Sequence, residues 1–250
     1  MKKIVPALFF ICMTPVLSAQ YNFTSSWPSK SRIGFEGGPG LISLYGNTTT
    51  EKTETGTLGY SGGIFYQYSF TPMVHPDSTG KSTFHSGLKT GVYLDRKGDV
   101  VTPTSLANGG MPVGNTTTHR NFDYITIPVL FQFMMGRNNR VKVYETFGPY
   151  VGVLVNQSTI TSKPDTASIV QNDKNKYTEI DIGLCMGVGL EIPIRQQYYL
   201  HAEFRQNLGL YDINRSAIAS DLSIHTSSPY LVIGFSYRFK KKKAPKVKEK

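Results

Sequence analysis

Hydrophobic and polar residues alternate one by one along much of this chain. The alternation is longest in Thr178–Ile194, where seven apolar side chains from Ile180 to Ile192 alternate with glycine, cysteine and acidic residues. A period of two residues is typical of a β-strand whose two faces meet different surroundings. The same pattern predicts eight strands, at Arg32–Tyr45, Leu58–Phe70, Thr83–Arg96, Phe122–Met135, Val141–Gln157, Thr178–Ile194, Tyr198–Ile213 and Ser228–Phe239.

The connections between these strands alternate in length. The odd-numbered connections are long, whereas Gly136–Arg140 and Arg195–Gln197 are short, and Thr71–Ser82 is longer than a tight turn. Outer-membrane barrels join their strands by long outside loops and tight periplasmic turns. The sequence therefore predicts an all-β fold, an eight-stranded antiparallel up-and-down transmembrane β-barrel over residues 32–239, with both termini in the periplasm.

Three residues depart from the regular alternation. Glu145 falls on the apolar face of the fifth predicted strand, which places it near the periplasmic rim or after a bulge that resets the phase. Pro128 and Pro149 lie inside strands and cannot donate to the ladder, so the sequence predicts a bulge or kink at each.

Both ends of the chain differ in composition from the predicted barrel. Residues 1–19 combine Lys2 and Lys3 with a short apolar stretch and small residues before Gln20, which predicts a secretory signal peptide. Residues 20–31 are then a periplasmic lead-in, and residues 240–250 form a lysine-rich periplasmic tail. The predicted localisation is the cell outer membrane.

The formal charge of +10 is concentrated at these ends. The first two lysines contribute +2 and the tail +6, which leaves +2 for the barrel. A nearly neutral, exported domain is not expected to bind nucleic acid. After the predicted signal peptide only Cys185 remains, so no intramolecular disulfide is possible, and no cofactor is predicted.

The polar face of the strands carries many ionisable residues. The inward set comprises Glu36, Lys89, Asp95, Glu179, Asp181, Glu191, His201, Glu203, Arg205 and Arg238, with His85, Gln67 and Gln132. An eight-stranded barrel is just wide enough to be filled by its own side chains. We therefore interpret this set as a charge network that plugs the lumen, with a polar pore or a proton path as the alternative.

Two further arrangements have the residue types of chemical sites. His225 and Ser227 have the spacing of a histidine–serine pair at a barrel rim, but no acidic residue follows to orient the histidine except Glu249 in the tail. His75, Asp77 and His85 are widely spaced for a metal site and have no second cluster beside them. We predict no catalytic and no metal-binding residues.

The lysine-rich tail suggests one kind of partner. Lys240, Lys241, Lys242 and Lys243 begin it, and Pro245 opposes a helix, so the tail is expected to be either solvated or docked on an anionic surface. The predicted partners are outer-membrane lipid and lipopolysaccharide, with peptidoglycan or an outer-membrane protein complex as further candidates.

Several strands share their motifs with a known family. The segments concerned are Phe122-Asp-Tyr-Ile-Thr-Ile-Pro-Val-Leu-Phe-Gln-Phe, Phe147-Gly-Pro-Tyr-Val-Gly-Val-Leu-Val, Ile182-Gly-Leu-Cys-Met-Gly-Val-Gly-Leu-Glu-Ile-Pro and His201-Ala-Glu-Phe-Arg-Gln-Asn-Leu-Gly-Leu-Tyr-Asp-Ile. In order and spacing they resemble the PorT-like outer-membrane β-barrel family. The resemblance implies an eight-stranded outer-membrane barrel without a common activity, in a family whose namesake takes part in type IX protein secretion. The lead-in from Tyr21 to Pro28 departs from the namesake's Asn-Leu-Pro-rich opening.

The function predicted from the sequence is that of a non-enzymatic outer-membrane barrel. It would act as a structural or interaction protein, or as an accessory subunit of an outer-membrane complex. A small passive channel and a type IX secretion component are the alternatives, and a lipid-modifying barrel enzyme is the least favoured.

Overall fold

The computed structural model describes the barrel strands and parts of their connections. The residues described are 31–46, 54–72, 83–101, 117–136, 140–163, 166–172, 174, 177–195, 197–214 and 223–239. The predicted signal peptide, most of the lead-in and the whole lysine-rich tail lie outside these ranges. Within the described ranges, no helix is long and apolar enough to cross a membrane.

The described residues form a closed antiparallel barrel of eight long strands with two short additions. The strands are β1 (Ser31–Gly46), β2 (Glu54–Thr55), β3 (Thr57–Pro72), β4 (Thr83–Val101), β5 (Thr117–Gly136), β6 (Lys142–Lys163), β7 (Thr166–Gln171), β8 (Ile180–Arg195), β9 (Tyr198–Gly209) and β10 (Ile224–Arg238). Each long strand pairs with the next, and β1 pairs with β10 from Arg32 opposite Arg238 to Gly46 opposite Ile224. The predicted fold class is confirmed.

The outward face is apolar, as the alternation predicted. Phe35, Leu41, Leu58 and Ile64 each leave more than three fifths of their surface exposed, whereas their neighbours along the strands point inward and are mostly buried. An outer-membrane barrel presents such an apolar band, flanked by aromatic residues, to lipid. Some outward aromatic residues lie towards the strand ends: Tyr66, Phe70, Phe133, Tyr198 and Phe239 at one end, and Tyr60 and Tyr211 at the other. Others, such as Phe131 and Phe204, lie within the apolar band.

The two ends of the barrel are named here by their connections. The short-turn end holds the connections β3–β4, β5–β6 and β8–β9, and the long-loop end holds the other four. At the long-loop end, β4, β5 and β6 extend beyond their predicted limits, and β6 continues into a hairpin with β7. The extensions carry polar residues on both faces, which is why the apolar alternation did not predict them.

The irregularities of the strands differ from those predicted. The register of β6 with both of its neighbours does not shift at Glu145, so no bulge lies there. Glu145 points outward close to the start of β6, at the short-turn rim. The bulge lies later, at Val155, because Asp123 pairs with Asn156 whereas Tyr124 pairs with Leu154. Val155 and Asn156 are therefore both exposed on the outside.

Of the bulge or kink predicted at each of the two strand prolines, the bulge is not found. The β5–β6 ladder has the same register on both sides of Pro128, and the β6–β8 ladder runs without a shift through Pro149 opposite Leu184. Each proline removes one donor, but the rest of the ladder holds the strand in phase.

Inward glycines leave room for inward aromatic rings. A Cβ at Gly189 would lie 2.6 Å from Cζ of Tyr144 and 2.6 Å from the carbonyl oxygen of Ala202. At Gly152, by contrast, the nearest atom would be Cδ1 of Tyr124 at 3.4 Å, which is an ordinary contact. The lumen is thus filled by large side chains from some strands over glycines of their neighbours.

This difference between two inward glycines can be tested. We expect Gly189→Ala to lower the free energy of unfolding by about 1–3 kcal/mol because the methyl group overpacks the ring of Tyr144. Gly152→Ala is the matched control and should change it by less than about 0.5 kcal/mol. The measurement is the temperature at which the compact, fast-migrating form of the protein disappears on an unboiled detergent gel. Equal midpoints for the two variants would contradict the packing described.

Candidate functional site

Four charged side chains meet in the middle of the lumen. This central network consists of Glu36, Lys89, Glu203 and Arg205, contributed by β1, β4 and β9. Nζ of Lys89 lies 2.8 Å from Oε2 of Glu36 and 3.1 Å from Oε2 of Glu203. The guanidinium of Arg205 lies 2.5 Å from Oε1 of Glu36 and 2.8 Å from Oε1 of Glu203. Two cations and two carboxylates alternate, so the central network has no net charge.

Tyrosines complete the hydrogen bonds of the central network. Tyr93 donates to Oε1 of Glu36 at 2.7 Å, and Tyr144 donates to Oε2 of Glu203 at 2.9 Å. The four charged residues are each at most 4% exposed. A buried ionic group is tolerated when its partners are close and its remaining hydrogen-bonding capacity is satisfied, and this network meets both conditions.

Glycines on β8 and β10 make room for the two carboxylates. A Cβ at Gly187 would lie 2.5 Å from Oε1 of Glu203, and one at Gly234 would lie 2.6 Å from Cβ of Glu36. The central network is therefore packed against the barrel wall as well as paired across the lumen.

A second network lies nearer the long-loop end. This loop-side network consists of Lys97, Asp181, Tyr150 and Thr226 from four different strands. Nζ of Lys97 lies 2.6 Å from Oδ2 of Asp181 and 3.0 Å from the hydroxyl of Tyr150. Tyr150 and Thr226 also donate to Oδ2 of Asp181, at 3.1 Å and 3.0 Å.

Apolar side chains cover the lumen beyond the loop-side network. Leu44, Phe122, Tyr124, Leu154 and Ile213 form a buried cluster, against which Tyr177 and Ile224 pack. Tyr177 and Ile213 belong to the connections beside β8 and β9, and Tyr177 bridges to Asn214. The connections thus fold over the long-loop mouth and form an apolar cap.

A third group lies at the short-turn end. This turn-side cluster consists of Arg32, Lys142, Glu191, Tyr199 and Arg238. Arg32 is paired with Oε2 of Glu191, and Nζ of Lys142 lies 3.5 Å from Oε1 of the same carboxylate. The guanidinium carbons of Arg32 and Arg238 lie 4.2 Å and 4.7 Å from the ring centre of Tyr199. The cluster contains three cations and one carboxylate.

Asp95 is buried with incomplete pairing. Nδ2 of Asn207 donates to its Oδ2 at 3.3 Å, whereas Oδ1 has no hydrogen-bond partner among the residues that the structure describes. Asp95 is only 1% exposed. The surroundings of its carboxylate therefore differ from those of Glu203, which is contacted by two cations and two hydroxyl donors.

The structure places most of the residues predicted for the inward set inside the barrel. Eight of them are at least nine-tenths buried: Glu36, Lys89, Asp95, Asp181, Glu191, His201, Glu203 and Arg205. Arg238 is partly exposed at the short-turn mouth. Four of them form the central network: Glu36, Lys89, Glu203 and Arg205. His201 shares a 2.7 Å hydrogen bond with Ser236. Glu179 was predicted to face inward, but it precedes β8 and is exposed.

Several inward residues were missed in the sequence. Lys97 and Asp99 lie beyond the predicted end of the third strand, but they continue the inward parity of Lys89 and Asp95. Arg32 and Lys142 lie at strand ends. Each is an even number of residues from an inward residue, Glu36 and Tyr144 respectively, so the alternation predicts that both point inward. The inward tyrosines give no signal in a polarity pattern, because tyrosine is common on both faces of barrels.

The other sequence candidates do not form a chemical site in the described residues. Ser227 accepts a hydrogen bond from Gln206 at 3.1 Å, and Nδ1 of His225 lies 3.2 Å from the carbonyl oxygen of Tyr211. His75, Asp77 and Lys240–Lys243 lie outside the described residues. Across the described ranges, no group of three or more histidine, cysteine or acidic residues is arranged to hold a metal ion.

A protein-family model matches most of the chain. The sequence model of the outer membrane protein beta-barrel domain matches residues 18–215, which include seven of the eight long strands. No protein of curated function matches the sequence significantly.

Several solved structures are similar to the barrel at low sequence identity. The crystal structure of Neisserial surface protein A gives a TM-score of 0.40 at 12% identity, covering 86% of this chain and 100% of that chain. A major outer membrane protein from Thermus thermophilus gives 0.42 at 14% identity, covering 84% and 99%. The outer membrane protease OmpT from Escherichia coli gives 0.36 at 11% identity, covering 86% and 99%. These values are too low to carry an argument about function.

The contrast between Glu203 and Asp95 leads to a testable difference in stability. Glu203→Gln leaves two buried cations with one carboxylate, so we expect it to lower the free energy of unfolding by about 3–5 kcal/mol. Asp95→Asn has the same shape but removes a charge that has no cation within ion-pairing distance among the described residues, and should cost less than about 1 kcal/mol. Urea titration of the folded protein in detergent micelles, followed by circular dichroism, measures both. A larger loss for Asp95→Asn would refute this account of the lumen.

Proposed function

Because the chain belongs to the outer membrane protein beta-barrel domain family, we propose that it is a plugged barrel with a structural or interaction role in the outer membrane. In this proposal the barrel is an anchor that presents its two ends to other molecules. It carries out no chemistry and passes no solute.

The observation that carries this proposal is the central network. Glu36, Lys89, Glu203 and Arg205 reach across the lumen from three strands and contact one another at 2.5–3.1 Å. An ion entering the barrel would have to separate these buried pairs, which costs several kcal/mol for each charge left without a partner. The apolar cap at the long-loop end supports the proposal, because a hydrophobic constriction also opposes the passage of ions.

The arrangement of the ends supports an interaction role. The extensions of β4, β5 and β6, with β7, carry a sheet beyond the barrel at the long-loop end. Long loops face the cell exterior in outer-membrane barrels, so we place this sheet outside the cell and both termini in the periplasm. The sheet would then be available to lipopolysaccharide or to an external partner.

Two narrower roles stay predictions. A subunit role in type IX secretion rests on the motif resemblance of residues 122–239 to the PorT-like family. A lipid-modifying activity would need a nucleophile and base in hydrogen-bond contact, and His225 and Ser227 each have other partners.

The plugged barrel predicts very low ion conductance. Purified protein inserted into planar lipid bilayers should leave the current at the baseline of the bare membrane, because the central network fills the lumen. A general porin inserted in a parallel chamber provides the positive control. Stable, reproducible conductance steps from the purified protein would reverse the proposal in favour of a passive channel.

The lysine-rich tail provides a second test of the interaction role. Seven of its eleven residues are lysines, and a lysine near an anionic surface contributes about 1 kcal/mol. We expect the full-length protein to sediment with purified peptidoglycan or anionic liposomes at low salt and to be released at about 1 M salt, where screening is strong. A truncated protein ending at Phe239 is the control. Equal, salt-insensitive retention of the two proteins would exclude docking through the tail.

A further inference from the structure

The turn-side cluster has more positive than negative charge. Arg32, Lys142 and Arg238 are cationic, and Glu191 is the carboxylate that Arg32 and Lys142 share. Arg32 and Lys142 are only 3% and 6% exposed, and Glu191 is fully buried. Among the residues that the structure describes, two positive charges are therefore left without a compensating carboxylate in a partly buried position, where solvent screens them weakly.

The position of Arg238 adds electrostatic repulsion to this excess of positive charge. It lies directly opposite Arg32 in the ladder between β1 and β10, and like charges at such positions repel each other. Both guanidiniums contact the ring of Tyr199. Arg238 forms no ion pair with any residue that the structure describes, although its backbone is held by a 2.8 Å hydrogen bond to the carbonyl oxygen of Gln197.

Among the described residues, the cluster is accessible from the short-turn end of the barrel. The apolar cap covers the long-loop mouth, and the central network fills the lumen in between. Arg238 is partly exposed at the short-turn mouth, beside the connection from β8 to β9. A small anion arriving from that side would meet Arg238 first, and Arg32 and Lys142 behind it.

We propose that the turn-side cluster is a binding site for a phosphate group. A phosphate monoester or inorganic phosphate carries close to two negative charges at neutral pH, which matches the two uncompensated positive charges. The guanidinium fork of Arg238 suits the bidentate geometry of phosphate oxygens. Bound phosphate would also reduce the electrostatic repulsion between Arg238 and Arg32. Two sources fit this chemistry: a free phosphate or phosphomonoester, which matches both positive charges, and the phosphodiester of a phospholipid headgroup, which carries one negative charge and matches one of them.

The site can be tested on the full-length protein folded in zwitterionic detergent. Inorganic phosphate is titrated by calorimetry at pH 7.5 and constant ionic strength, with chloride as the balancing anion. We expect saturable binding by the wild type and at least about ten-fold weaker binding by Arg238→Gln, the ratio that corresponds to about 1.4 kcal/mol. Arg195→Gln removes an exposed arginine from the same end and should bind as the wild type does.

A second readout separates binding from folding. In phosphate-free buffer Arg238→Gln should be at least as heat-stable as the wild type, because it relieves the repulsion from Arg32. Added phosphate should then raise the unfolding temperature of the wild type and of Arg195→Gln, but not that of Arg238→Gln. Absence of saturable binding by the wild type, or equal binding by Arg238→Gln, would overturn the proposal.

The source of the phosphate is distinguished by a second ligand. Glycerophosphoglycerol is the headgroup of phosphatidylglycerol without its acyl chains, and it is titrated under the same conditions. Tighter binding of inorganic phosphate supports a free phosphate or phosphomonoester, and tighter binding of glycerophosphoglycerol supports a lipid headgroup. Failure of both ligands to bind would overturn the phosphate site and leave the plugged barrel unaffected.

Discussion

Closure of the backbone hydrogen-bond ladder is the constraint on which the rest of this structure depends. A bilayer offers no water to satisfy peptide groups, so strands cross it only when every edge is paired. Here the pairing of β1 with β10 removes the last edge. Closing eight strands also sets the diameter, and a barrel of that size has an interior that side chains can fill. The dense, paired interior follows from the strand number.

A narrow interior has to satisfy volume and charge together. Volume is matched by placing rings over glycines: Tyr150 approaches the Cβ position of Gly183 to 2.7 Å, and Tyr93 that of Gly63 to 2.7 Å. Charge is matched in the central network, where each carboxylate has a lysine and an arginine as partners. The tyrosines serve both requirements, because their rings fill space and their hydroxyls donate to the carboxylates.

The alternation of apolar residues predicted the barrel and its strands because lipid imposes a period of two on every outward face. It could not predict the extensions of β4, β5 and β6, which leave the apolar band and are polar on both sides. The inward position of Glu36 or Lys89 also follows from the period. Their contact does not, since Lys89 reaches Glu36 over the intervening strand β3 at a height that depends on strand tilt and shear. Lys97 was missed because the predicted strand ended at Arg96, five residues before the end of β4 at Val101.

The charges inside the barrel are distributed unevenly along its axis. In the part of the chain that the structure describes, the central network is balanced and Asp95, near the loop-side network, has no cation of its own. The turn-side cluster there has two positive charges more than negative ones. The first two groups are sealed by the apolar cap and by the barrel wall, so salt has little access to them. The turn-side cluster reaches the mouth through Arg238, where mobile ions and ligands can approach. Within the described residues, the balanced networks are therefore shielded from solvent, and the group with excess positive charge is the one that reaches a mouth of the barrel.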